Sequence, residues 1–209
     1  LLVLGDQSKE ADVQATVTKT IKHFGGLDGA VINAGIGISD KLEDLDVEKW
    51  RRGLDINLSS AFMLTKESMK VMRKQKMGGS LVYIASKNAF SPGAGFGGYS
   101  VSKAGMLQLM RIAALEGGNA GIRCNGINPD AVFDNSKLWA GGIREQRAAA
   151  HGVKPEDLED FYASRNLLNA RVRSLDVARA AAFFLSDESS RTTGSVIAVD
   201  GGVAAAFPR

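Results

Sequence analysis

Five short apolar runs rich in β-branched residues punctuate this chain: LLVLGD (1–6), DGAVINAG (28–35), GSLVYIAS (79–86), GIRCNGINP (121–129) and GSVIAVDGG (194–202). The intervals between most of them are helix-periodic. In KEADVQATVTKTIKHFG, Val13, Val17, Ile21 and Phe24 recur at spacings of three and four, which predicts one buried face. A long helical pattern covers 45–76, with a break or bend expected near Asn57 and Leu58. Further helices are expected from Tyr99 to about Gly117 and over 174–187, the latter with Asp176 near its N-terminus, where a carboxylate is favourable. Strands apolar on both faces that alternate with helices predict a parallel sheet covered on both sides, a three-layer α/β/α domain. Residues 130–173 break the rhythm with short helical pieces, and a long insertion of this kind often forms a lid. No repeat, low-complexity tract or linker divides the chain, so a single domain over 1–209 is expected.

Composition removes several function classes. Of 209 residues, 44% are hydrophobic and 23% charged, values of an ordinary globular domain. No apolar run approaches the ~18 residues of a membrane span, and the opening residues are not those of a secretory signal. The net charge of +3 is spread along the chain, unlike a nucleic-acid footprint, and the basic cluster KVMRKQK (70–76) reads as a solvated helix end. A lone cysteine, Cys124, excludes an internal disulfide and fits a reducing cytoplasm, and its apolar setting predicts a buried, structural thiol. His23 and His151 have no second His or Cys at ligand spacing, so no metal site is expected.

In an open α/β sheet, ligands bind at the carboxyl ends of the strands. Asp6, Asn33 to Gly35, Ser86 and Pro129 all follow predicted strands. Ser86 lies thirteen residues before Tyr99, and Lys103 lies four after it. On a helix Tyr99 and Lys103 share one face. A free tyrosine, with a pKa near ~10, is a poor base at neutral pH, and a nearby ammonium is expected to favour its phenolate and bring it into acid–base range. Ser86 is placed to bond the same substrate oxygen. Such a set polarises a carbonyl or accepts an alcohol proton, and a nicotinamide beside it would complete a hydride transfer.

The ordered series FGGLDGAVINAG, LDINLSSAF, YIASKNAF, YSVSKAGM, IRCNGINP and SSRTTGSVIAVDGG resembles the short-chain dehydrogenase/reductase family. The resemblance runs from Asp6 to the C-terminus and implies a Rossmann-type, doubly wound parallel sheet and an NAD cofactor, with NADP also allowed. It implies a catalytic tetrad of Asn57, Ser86, Tyr99 and Lys103, in which Asn57 holds a kinked helix and a water that relays protons from Lys103. It assigns Asp6 to the adenine amino group, and Asn33, Ala34 and Gly35 to the adenosine ribose. Tyr99 and Lys103 fall at the nicotinamide ribose, and Pro129 and Val132 at the carboxamide.

Two departures from the family pattern stand out. The first strand, the glycine-rich phosphate turn and the next βα unit of the family are not in this sequence, so it reads as a fragment or partly ordered chain lacking an N-terminal βαβα segment. The usual Pro-Gly after the fourth strand is here Pro129-Asp130, which brings a charge toward the substrate.

Residues 128–168 and the ending VDGGVAAAFPR resemble the dehydrogenase halves of bifunctional rhamnulose-1-phosphate aldolase/short-chain dehydrogenases. That implies a lactaldehyde-type hydroxy-aldehyde, sugar or polyol as substrate, a role in rhamnose catabolism and an aldolase domain fused upstream. Asn88, Asp130, Trp139 and Arg144 are the candidate substrate contacts. Phe161 and Tyr162 are expected to help close the site, and Arg144 and Arg147 to grip an anionic group. The long helical regions imply a homodimer or homotetramer. A 3-oxoacyl thioester reductase of the same family and a catalytically silent nucleotide-binding scaffold are the alternatives.

Overall fold

The structure, a computed structural model, describes residues 1–207, so Pro208 and Arg209 of the VDGGVAAAFPR ending lie outside the described residues. Four parallel strands pair in sequence order: β1 (Gly29–Ile32), β2 (Gly79–Ile84), β3 (Ile122–Pro129) and β4 (Val196–Val199). The register sets Ala30 against Leu81, Leu81 against Cys124 and Ile127 against Ile197. Parallel neighbours need crossovers, and each crossover here contains helix. Helix α1 (Glu10–Phe24) precedes β1, and α2 (Val47–Leu54) with α3 (Ser60–Gln75) leads to β2. Helix α4 (Gly97–Gly117) leads to β3, and α5 (Ile143–His151), α6 (Leu158–Ser164) and α7 (Ser174–Leu185) lead to β4.

Why β2 and β3 are apolar on both faces follows from what covers them. On one face Leu81, Tyr83 and Cys124 pack with Met72 of α3 and with Met106 and Met110 of α4. On the other, Val82 and Ile127 meet Ala181 and Phe184 of α7. The C-terminal end of α7 is held to β3 by Arg123, whose guanidinium donates to Phe184 O (2.9 Å), Ser186 O (3.1 Å) and Ser189 O (3.1 Å). A cation there also meets the negative end of the helix dipole. Residues 130–173 build a small core of their own, in which Ala148, Leu158 and Tyr162 pack with Phe133, Trp139 and Phe161.

The bend expected near Asn57 is a π-helical turn, Asp55–Ser59, set between α2 and α3. Two expectations fail. LLVLGD is not a strand: it makes no ladder, and Leu2 and Leu4 are 84% and 87% exposed. A strand needs a hydrogen-bonded neighbour, and among the described residues β1 pairs only with β2. Phe24 is exposed, because α1 buries Val13 and Val17 and its last turn runs past that contact. No helix among the described residues is long and apolar enough to cross a membrane.

Candidate active site

A cavity of about 1110 Å³ opens at the carboxyl ends of β1, β2 and β3. Asn33 and Gly35 enter it from the turn after β1, Ser86 from the end of β2, and Pro129 and Asp130 from the end of β3. Helix α4 supplies Tyr99 and Lys103 one turn apart, both at the same wall. These side chains are buried: Ser86 and Tyr99 are each 6% exposed and Lys103 is 3%.

Burial dominates the electrostatics. It pushes the Tyr99 phenol up to about 12, with Asp130 adding in the same direction and the Ser86 hydroxyl pulling back down. Ser86 Oγ also accepts from Asn88 N at 3.2 Å. Lys103 is drawn down to about 8, again by burial. Its Nζ donates to Ile84 O at 2.7 Å and lies 5.8 Å from the centre of the Tyr99 ring. The lowering of Tyr99 by Lys103 expected from their spacing is not among the influences on the phenol, which burial dominates. An ammonium has three donors, and the one strong acceptor here leaves Lys103 with donating capacity for a ligand.

Asn57 is fully buried and lies outside the cavity wall. Its Oδ1 accepts from Ile36 N (2.7 Å), and its Nδ2 donates to Ile36 O (3.0 Å) and Ser102 Oγ (3.0 Å). One side chain thereby fastens the turn after β1 to the π turn and to α4 between Tyr99 and Lys103. Its side-chain bonds are committed to that fastening. Gly35 sits beside it: a Cβ there would come within 3.4 Å of both Asn57 Oδ1 and Lys103 Nζ. The missing side chain keeps that corner open for a ligand.

The remaining sequence candidates divide. Val132, Asn88 and Trp139 line the cavity along with Asp130, and Tyr162 joins them. Trp139 stacks on Phe133 with centroids 4.1 Å apart, and its Nε1 donates to Val132 O at 2.7 Å. Ala34, Phe161 and Arg144 are not on the wall. Arg144 instead donates to Pro155 O and covers the Phe133 ring, because α5 turns Arg147 rather than Arg144 toward the cavity. Asp6 is exposed and away from the cavity, with its carboxylate turned onto Ser8 N and Oγ. Sequence reasoning missed Lys87, Arg165 and His151 as wall residues. Only the position of Lys87 next to Ser86 signalled any of the three.

With that geometry in view, the likeness to known proteins is extensive. A family profile described as Enoyl-(Acyl carrier protein) reductase matches residues 2–204. The chain is 40% identical over 204 residues to the uncharacterized oxidoreductase YuxG of Bacillus subtilis, covering 98% of this chain and 30% of that protein's length. Sorbitol-6-phosphate 2-dehydrogenase SrlD of Erwinia amylovora superposes with a TM-score of 0.89 at 26% identity, over 95% of this chain and 77% of that one. A putative short-chain dehydrogenase/reductase of Burkholderia xenovorans superposes with a TM-score of 0.81 at 30% identity, over 97% and 73%. A parallel α/β sheet with flanking helices, a Ser–Tyr–Lys set at its strand ends and this breadth of likeness identify the chain as a member of the short-chain dehydrogenase/reductase family.

Proposed function

We propose that this chain forms the catalytic site of an NAD(P)-dependent oxidoreductase that interconverts an alcohol and a carbonyl. The substrate is a small hydroxy-aldehyde, sugar or polyol of the lactaldehyde type. The observation that carries the reading is the convergence of buried Ser86, Tyr99 and Lys103 on one large cavity. Likeness to SrlD, a sorbitol-6-phosphate 2-dehydrogenase, supports a polyol-like substrate.

The wall fits the nicotinamide end of a dinucleotide: Asn33 and Gly35 form an open corner, Lys103 has donors to spare for ribose hydroxyls, and Pro129 and Val132 flank the far side. When bound, the nicotinamide accepts or supplies the hydride. The chain's own residues do the rest. Tyr99 Oη takes the proton of the substrate alcohol in oxidation and returns it to the carbonyl oxygen in reduction. Ser86 Oγ donates to that same oxygen and holds it against the phenol. Lys103, ammonium at neutral pH, stabilises the phenolate once a ligand draws its Nζ from Ile84 O. Asn57 is a positioning residue that keeps α4 and the turn after β1 in register.

The finer parts of the proposal are NAD in preference to NADP, rhamnose catabolism with an aldolase domain upstream, a cytoplasmic location, and a homodimer or homotetramer. Exposed Phe62 on α3 with Ile112 and Leu115 on α4 support self-association through those helices. The description of the matching profile favours one competing reading, a thioester reductase. The complete protein, assayed for nicotinamide reduction with lactaldehyde and small polyols and for its reoxidation with an acetoacetyl thioester, separates the two. Turnover of the former is expected with NAD. Turnover of the thioester alone would replace the proposal, and no turnover at all would leave a silent scaffold.

A further inference from the structure

One part of the cavity wall is charged. Lys87 follows Ser86, Arg147 projects from α5, and Arg165 lies just after α6. All three line the cavity with Asp130 and His151. Lys87 and Arg147 are 9% and 8% exposed.

Their protein partners do not balance them. Lys87 Nζ donates to Ser91 O at 3.0 Å. Arg147 donates to Ala94 O at 2.9 Å and faces His151 Nε2 at 3.1 Å, with Phe96 beneath its guanidinium. Among the described residues neither cation has a carboxylate within ion-pair distance. Arg165 does: its Nη2 is 3.1 Å from Asp130 Oδ2, and its guanidinium lies 4.1 Å over the Tyr162 ring. Yet Arg165 Nε is buried with no hydrogen-bond partner. Asp200, the other acid within electrostatic reach, is spent on Gly202 N. His151 is held neutral by burial and by the surrounding cations.

The count is three cations against two carboxylates around one cavity. A buried charge without a counter-charge is costly, and so is a buried guanidinium N–H without an acceptor. A fold carries both where a ligand supplies what is missing. We infer that Lys87, Arg147 and Arg165 form a subsite for an anionic group of the substrate, carboxylate or phosphate. Arginine suits this role because its fork meets two oxygens at once. Asp130 orients Arg165, and the aromatic faces of Phe96 and Tyr162 hold the two guanidinium planes. The subsite rests on the reading of the cavity as an alcohol dehydrogenase site, and it narrows that site's substrates to hydroxy acids or sugar and polyol phosphates.

The test compares three alcohols of one skeleton, glycerol, glycerate and glycerol phosphate, as substrates of the complete protein with NAD and NADP. Inorganic phosphate binding is followed separately by calorimetry. At least one anion is expected to exceed glycerol in kcat/KM by roughly tenfold or more. Which one does so distinguishes a carboxylate from a phosphate subsite. Arg147→Met and Arg165→Met should each lower the anion-to-glycerol preference by roughly 10- to 100-fold, the range of a lost charge-assisted hydrogen bond, mainly through KM. Inorganic phosphate should bind the wild type and bind both variants more weakly, with Arg147→Lys recovering part of the loss. Glycerol turned over as well as both anions would overturn the subsite while leaving the dehydrogenase reading in place. If neither these alcohols nor lactaldehyde is turned over, the dehydrogenase reading fails. Phosphate binding then decides the subsite alone, and equal binding by wild type and variants overturns it.

Discussion

Lys103 carries its charge into a site that burial makes hostile to it. The group is drawn down to about 8 from an ordinary 10.5, so the folded protein releases this proton before the unfolded chain does. The charged form is penalised in full below pH ~8, and the penalty fades as pH rises toward 10.5. Wild type should therefore gain stability relative to Lys103→Met across that interval, by on the order of 3 kcal/mol in the unliganded protein. Denaturant unfolding of both proteins at pH 7 and pH 10.5 measures it, and parallel profiles would contradict the assignment. Ser86, Tyr99 and Lys103 were readable in the sequence because one helical turn and one strand end bring them together. Arg147 was readable only together with Arg144, and Lys87 and Arg165 were not, since 77 residues stand between those two. Arg144 and Arg147 looked equivalent as sequence; only the seating of α5 on Phe133 and Pro155 sends one outward and the other into the cavity.

The stretch from α2 through the π turn to α3 sets where the site's backbone lies. The π turn turns Asn57 inward to Ile36 and Ser102, and the bend was foreseeable at that residue. Just before it, Gly53 of α2 lets Ile38 pack at 1% exposure beside Phe96 and Tyr99. A Cβ at Gly53 would overlap the Ile38 side chain. Gly53→Ala should thus cost about 1–3 kcal/mol by overpacking, despite alanine's better helix propensity. Urea unfolding reads the cost, and an unchanged or raised midpoint would show that Ile38 repacks freely. LLVLGD shows the reverse limit of element-level reading. Its residues suit a strand as well as those of β2 do, but strand formation depends on a neighbour, and composition carries no information about one.

At the scale of the whole molecule, the sheet brings together residues that the chain keeps far apart. The core of β2 and β3 is sealed by α3 and α4 on one face and α7 on the other, so the loops at the carboxyl ends are fixed relative to each other. That layered arrangement followed from alternating apolar and helix-periodic segments. The small core of residues 130–173, which lends Trp139 and Tyr162 to the cavity wall, did not, because its aromatic residues follow no single period. The central claim is that this assembly transfers a proton at Tyr99 Oη as the substrate is oxidised. The direct test is Tyr99→Phe in the complete protein, with turnover and nicotinamide cofactor binding measured side by side. The account predicts a fall in kcat of about 100-fold or more with cofactor binding retained. Undiminished turnover by the phenylalanine variant would contradict it.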